Sequence, residues 1–306
     1  MSDTSESPAP ASARSGKGRA FVRRLGSTVA LWGFVGFAFW KASPWLFYIM
    51  VMLLVLGGLV EYFRLFHLPG YRQFRRFTYA LGVVYITSLF LPVLGVDAPW
   101  LRGLDGVALA ILLILVVLSR IWRPLEGMRT LDEIVVTIFG FLYIAVLFGF
   151  VAKILVLLEV DAPGNGAAHF YVLYLLAVTK FTDMGAYAIG SLIGKHKMVP
   201  HVSPGKTWQG FGGAIFGACV ASFGSLALYG DQIPIITGVH AGVLAVGLAV
   251  VAVLGDLAES ILKRSVEIKD SGHKLPGIGG VLDLIDSVLF TAPVMYIYLK
   301  ALALGN

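Results

Sequence analysis

From Ser27 to Leu304 the chain is a succession of apolar runs. Each is close to the roughly 20 residues that an α-helix needs to cross a bilayer, and each is ended by a short stretch holding charged residues, Gly or Pro. No other feature restricts the fold as strongly. Inside hydrocarbon every backbone N–H and C=O must find a partner within the protein, which leaves only helices or a closed barrel. Continuous apolar runs without two-residue alternation select helices. Composition agrees: the 306 residues are 58% hydrophobic and 14% charged, with a mean hydropathy of +0.83. A chain of this length with a water-facing surface would carry far more charge. The fold class expected is all-α, a polytopic integral membrane protein.

The region Ser27–Phe63 is too long for one helix, and the KASP break at Lys41–Pro44 divides it into a hairpin. Further spans are predicted at Phe77–Leu94, Leu104–Ile121, Ile134–Leu157, His169–Ile193, Gly210–Tyr229, Ile235–Leu257 and Ser287–Leu304, about nine helices in all. Residues 1–26, rich in Ser, Ala and Pro and then in Arg and Lys, read as a disordered basic tail. They do not resemble a cleavable signal, because no A-x-A-like site follows. Residues 27–306 are expected to form a single transmembrane domain.

Charge placement orients the chain. The connections holding Arg64, Arg72, Arg75 and Arg76, then Arg120, Arg123 and Arg129, then Lys195, Lys197 and Lys206, then Lys263, Arg264, Lys269 and Lys274 are basic, and the intervening ones are poor in Lys and Arg. With a cytoplasmic N-terminus and this span count, all four basic connections fall inside, as the positive-inside rule requires. The net charge of +6 is therefore spread between spans. This suits anionic headgroups, and no nucleic-acid partner is expected. The single cysteine, Cys219, lies in an apolar run and excludes both an intrachain disulfide and a Cys-based zinc site.

Polar residues concentrate at residues 180–210 and 255–287, both predicted to be cytoplasmic. In the second region, a helix continuing past its apolar stretch would place Asp256, Glu259 and Lys263 on one face. The loop SGHKLPGIGG offers backbone amides to an anion without a Cβ in the way. Beyond it, Asp283 and Asp286 are three apart on the start of the last helix, aimed the same way. Carboxylates beside Lys and Arg suit Mg²⁺ holding phosphate oxygens. The spacing alone fits equally well a solvated loop whose salt bridges hold two helices together. In the first region, Lys180 and Asp183 are placed to neutralise each other, and SPGKTWQG is a candidate anion-binding turn. It is not a P-loop, because Pro200 stands where the upstream glycine belongs. Glu61, an acid near the end of an apolar run, is a weaker candidate.

The segment GDLAESILKRSVEIKDSGHKLPGIGGVLDLIDS resembles the C-terminal signature of the phosphatidate cytidylyltransferase (CDP-diacylglycerol synthase) family. That pattern runs S-x-x-K-R-x4-K-D, a Pro-Gly-His-Gly-Gly loop and D-R-x-D. It is matched by Ser260, Lys263, Arg264, Lys269 and Asp270, by Pro276, Gly277, Gly279 and Gly280, and by Asp283 and Asp286. TDMGAYAIGSLIGKHKMVPHVSPGKTWQG is similar to the family's D-x-x-A-Y…G-K-H-K…S-P-x-K-T-W-x-G stretch. The chain departs at Ile278, where the family usually has His, at Leu284, where it usually has Arg, and at Gly205, where Lys is common.

The resemblance implies a nucleotidyltransferase of phospholipid biosynthesis, converting CTP and phosphatidate to CDP-diacylglycerol and pyrophosphate at the inner cell membrane. Asp256 and Asp283, supported by Asp286, are then expected to hold Mg²⁺. Lys263, Arg264 and Lys269 would meet phosphate charge during transfer. Asp183, Tyr187, Ser203, Lys206, Thr207, Asp270, Gly279 and Gly280 would bind the substrates. A second metal ion and a homodimer are left open. A CTP-dependent lipid kinase is the alternative reading. CDP-alcohol phosphotransferases are excluded, since Asp105-Gly106 is not followed by their motif.

Overall fold

The computed structural model describes residues 33–66, 74–96, 104–121, 124–266 and 280–305. Residues 1–26, predicted as a tail, and residues 267–279 lie outside the described residues. Among the described residues there are nine helical segments. They are α1 (33–41), α2 (Pro44–Leu65), α3 (Arg75–Phe90), α4 (Leu104–Ile121), α5 (Met128–Asp161), α6 (Ala168–Ile193), α7 (Trp208–Tyr229), α8 (Gly238–Ser265) and α9 (Val281–Gly305). Six of them, α2 and α5 to α9, are long and apolar enough to cross a membrane. The protein is an all-α polytopic membrane protein. The segments α1, α3 and α4 stand where three further spans are predicted, but do not meet that measure among the described residues.

The helices differ from the predicted spans mainly at their polar ends. α8 does not stop at Leu257 but runs to Ser265, and α9 begins at Val281 rather than Ser287. Apolar length marks how much chain fits in hydrocarbon, whereas a helix continues wherever its residues tolerate helical backbone. Leu, Ala, Glu, Lys and Arg in LAESILKR all do, and Lys263 and Arg264 in the last turn complement the negative end of the helix dipole. One element was not anticipated. Residues 195–207 form a short antiparallel hairpin of β1 (Lys197–Val199) and β2 (Ser203–Thr207), with Lys197 opposite Thr207 and Val199 opposite Ser203.

Two glycine contacts set how the spans approach near the polar end. α6 and α7 are so close that a Cβ on Gly185 would run into the carbonyl oxygen of Gly213, and one on Gly217 into that of Phe181. Small residues are the usual means of bringing membrane helices into backbone contact. On α8, a Cβ at Gly255 would lie 3.0 Å from the carbonyl oxygen of Asp286 and 3.3 Å from the side chain of Phe290. The second contact draws α8 and α9 together at the point where both turn polar. α9 packs against α2, α5, α6 and α8, and its Leu282, Ile285, Val288, Leu289 and Met295 are buried among them. By contrast α4 leaves Val107, Ile111, Ile114 and Val117 exposed, a face suited to lipid.

Candidate active site

α8 and α9 supply the centre of the site. Asp256 and Glu259 occupy one face of α8, and Asp286 approaches from the first turns of α9 across the Gly255 contact. One carboxylate oxygen from each lies within 4.8 Å of the others. Glu259 and Asp286 are buried, and the Oε1 atom of Glu259 has no hydrogen-bond partner among the described residues. Three like charges this close repel strongly in a medium of reduced dielectric. A shared cation removes the repulsion, and hard carboxylate oxygens are what Mg²⁺ or Ca²⁺ selects. The donor set therefore fits a divalent ion.

Lysines frame the cluster. Lys206 reaches from β2 to place Nζ 2.6 Å from Asp256 Oδ2 and 3.1 Å from the carbonyl oxygen of Val253, joining the two polar regions of the sequence. Lys263, one turn beyond Glu259, lies 3.0 Å from its Oε2 and also pairs with Asp283. On the α6 side, Lys180 Nζ is 3.4 Å from Asp183 Oδ2, the i,i+3 pairing expected from the sequence. Ser287 links Asp183 to the cluster: its hydroxyl lies 3.3 and 3.4 Å from the two Asp183 oxygens and 3.1 Å from Asp286 Oδ1. Its backbone N–H also donates to Asp286 Oδ1, at 2.5 Å.

The start of α9 is held from two directions. Asp283 Oδ2 accepts from the N–H of Gly280 at 2.8 Å, the reach-back half of a capping box. Glu61, buried at the far end of α2, accepts from the N–H groups of Val281 at 2.6 Å and Leu282 at 3.3 Å. These first-turn donors have no intrahelical acceptor, so a carboxylate more than 200 positions away in sequence fixes the helix that carries Asp286. The hairpin is anchored similarly. Thr207 Oγ1 accepts from Gly210 N–H at 3.1 Å and caps α7, and Gln209 Oε1 accepts from the N–H groups of Lys195 and His196, each at 3.2 Å.

The structure thus brings together Asp183, Lys206, Asp256, Lys263, Asp283 and Asp286. Asp283, expected among the metal ligands, is engaged with Lys263 and the Gly280 amide, while Glu259 completes the triad of close oxygens. Thr207 is a buried helix cap. Tyr187 and Arg264 are exposed and Ser203 is half-buried on β2; none joins the cluster. Gly280 is described at the start of α9, whereas Lys269, Asp270 and Gly279, like Ile278, lie outside the described residues. Leu284, where the family pattern has Arg, packs against the apolar core. Glu259 was legible from its three-residue spacing to Asp256. Ser287 and the tethering role of Glu61 carry no sequence signal, because each depends on which helices meet.

Comparison with known proteins gives the arrangement a context. A family model described as "Cytidylyltransferase family" matches residues 22–302. The chain is 43% identical over 129 residues to a phosphatidate cytidylyltransferase of Bacillus subtilis, a segment covering 42% of this chain and 47% of the relative. It is 36% identical over 140 residues to the Mycobacterium leprae protein of that name, covering 46% and 43%. The match therefore spans less than half the length of these two curated relatives. To the Staphylococcus aureus (strain COL) phosphatidate cytidylyltransferase it is 34% identical over 212 residues, covering 64% of this chain and 80% of the relative.

Proposed function

Because the chain belongs to the cytidylyltransferase family, we propose that it joins CTP to phosphatidate, giving CDP-diacylglycerol and pyrophosphate. The observation that carries this reading is the close triad Asp256, Glu259 and Asp286, flanked by Lys206 and Lys263, at the polar end of membrane-spanning helices. Such a site can hold a triphosphate from water while its lipid partner stays in the bilayer. In this reading the active end and the N-terminus face the cytoplasm at the inner membrane, an orientation that the distribution of Lys and Arg supports.

An oxygen of the lipid phosphate attacks the α-phosphorus of CTP. A new P–O bond forms, the bond to the α–β bridging oxygen breaks, and pyrophosphate leaves with its electron pair. The nucleophile is already anionic at neutral pH, so the protein contributes positioning and charge rather than a strong base. Asp256, Glu259 and Asp286 would hold Mg²⁺, which would neutralise phosphate charge when bound. Lys206 and Lys263 exchange part of their carboxylate pairing for phosphate oxygens when substrate enters, and Arg264 and Lys269 are proposed to meet the same charge. Asp283 orients Lys263. Asp183, Lys180 and Ser287 form the side of the site toward α6, and Tyr187, Ser203, Thr207, Asp270, Gly279 and Gly280 are proposed to bind the substrates.

Two labelled forms of CTP test the reading. With α-labelled CTP, membranes containing the protein are expected to transfer label to phosphatidate, and a chelator is expected to stop it. With γ-labelled CTP, label should appear in pyrophosphate. Label from γ-labelled CTP in the lipid would replace this reading with a lipid kinase.

A further inference from the structure

The hairpin that carries Lys206 also holds a histidine outside the carboxylate cluster. His196 is exposed just before β1, yet its N–H, its carbonyl oxygen and its ring are all bound. The backbone N–H donates to Gln209 Oε1 at 3.2 Å, and the carbonyl oxygen accepts from the N–H of Trp208 at 2.9 Å. The ring nitrogen Nδ1 lies 2.7 Å from Gln209 Nε2. Gln209 Oε1 also accepts from the N–H of Lys195, at 3.2 Å.

These contacts decide which ring nitrogen carries the proton. The N–H groups of Lys195 and His196 both point at one end of the Gln209 amide, and only its carbonyl oxygen can accept from them. The other end, against His196 Nδ1, is therefore the NH₂ group, a donor. Nδ1 must accept, so the neutral imidazole keeps its proton on Nε2. No acceptor among the described residues meets that N–H. A clasp between β1 and α7 would need only the Gln209 carbonyl oxygen. The added bond to Nδ1 closes no backbone, yet it freezes an exposed side chain that would otherwise keep its rotamer freedom. Its result is a hydrogen-bond donor of fixed place and direction.

The surroundings select an anion as the group that this donor meets. Lys195 and Lys197 flank His196, are exposed and have no ion pair among the described residues. No Asp or Glu occurs between Asp183 and Asp231. The same ribbon leads to the carboxylate cluster. Lys197 stands opposite Thr207, and His196 and Lys206 are each one residue from that pair. Strand spacing sets their backbones on the order of 8 Å apart, and Lys206 Nζ continues to Asp256. A triphosphate with its α-phosphorus at the cluster can lay its outer phosphates along the hairpin toward His196.

We propose that His196 binds CTP, donating Nε2–H to a non-bridging oxygen of the part that leaves as pyrophosphate, and that Gln209 is a positioning residue acting through it. The inference rests on the functional reading above. Fixed in advance, the donor meets the charge that gathers on the leaving group as the α–β bond breaks.

The test uses the full chain in detergent micelles with Mg²⁺. Nitrogen NMR of isotope-labelled histidine identifies His196 by the signals lost in His196→Asn. The wild type is expected to show the Nε2–H tautomer, and the Nδ1–H tautomer overturns the inference. Asparagine places its amide where Nδ1 stood, and glutamine places it where Nε2 stood. His196→Asn is therefore expected to weaken equilibrium binding of CTP, and separately of inorganic pyrophosphate, about tenfold, as loss of a hydrogen bond to a charged group would. His196→Gln is expected to recover most of that loss, with KM for phosphatidate at the wild-type value in both variants. Gln209→Met, which keeps the length of the side chain without its polar atoms, is expected to weaken CTP binding about threefold. Wild-type affinity in Gln209→Met overturns its positioning role. A purely structural histidine would give equal losses in the Asn and Gln variants and raise KM for phosphatidate as well. That result overturns the inference, as does wild-type affinity in His196→Asn. Weaker binding of CTP with unchanged binding of pyrophosphate places the contact on the nucleoside and overturns the phosphate assignment. Failure of the wild-type protein to transfer α-label from CTP to phosphatidate overturns the functional reading, whereas the tautomer and pyrophosphate binding are read without turnover.

Discussion

Two buried ionic groups in this protein are built on opposite principles. Where α4 meets α5, Arg120 and Glu133 form an ion pair and are 7% and 3% exposed. Arg129 lies 3.8 Å from Glu133 and 2.9 Å from Glu126, and the Arg120 guanidinium sits 5.0 Å over the ring of Phe74. Cation and anion are matched within the protein, so the group acts as scaffold. Where α8 meets α9, Asp256, Glu259 and Asp286 converge with like charge. Lys206 attends Asp256, Lys263 is shared between Glu259 and Asp283, and Asp286 is met by the amide and hydroxyl of Ser287. A protein that repeats like charges in a poorly solvated place is arranged for a cation from outside. Burial of charge alone does not separate scaffold from site; the sign balance does.

The largest effect should come from the site. Asp286→Asn removes one of three close oxygen donors, and kcat is expected to fall about 1,000-fold, equivalent to about 4 kcal/mol. Thermal stability in detergent should hold or rise, since repulsion is relieved. A variant that is instead unfolded, or fully active, would break the contrast between the two clusters. Next comes the scaffold. Glu133→Gln leaves Arg120 buried beside a neutral partner, and stability is expected to drop by about 3 kcal/mol. Turnover per folded molecule should stay near wild type, measured by active-site titration at low temperature. The smallest effect tests the link between α2 and the site. Glu61→Gln retains an oxygen acceptor for the amides of Val281 and Leu282 but loses its charge. The expected change is about 1 kcal/mol in stability, with a modest fall in kcat and no change in metal preference.

Much of the site was legible because its residues recur at helical spacing. Asp256, Glu259 and Lys263 share a face by periodicity, and Asp283 and Asp286 follow the glycine-rich loop in the family pattern. Yet spacing could not say which carboxylates meet. Asp283 lies near the carboxylate triad in sequence terms, but as the third residue of α9 it reaches back to the Gly280 amide and across to Lys263. Glu259 takes the place beside Asp256 and Asp286, on the side of α8 that the Gly255 contact presses toward α9.

The sequence by itself determined that this chain lives in a bilayer as helices, because unpaired backbone groups are too costly in hydrocarbon for any other solution. It also determined that polar chemistry gathers beside the ends of the later helices, because charge is excluded from the interior of spans. Only the tertiary structure decided which side of each helix faces which neighbour. That choice rests on backbone contacts at Gly185, Gly213, Gly217 and Gly255, whose rotational consequences a hydropathy pattern does not contain. Through them the structure selected the carboxylates that converge and the distant acid that holds α9.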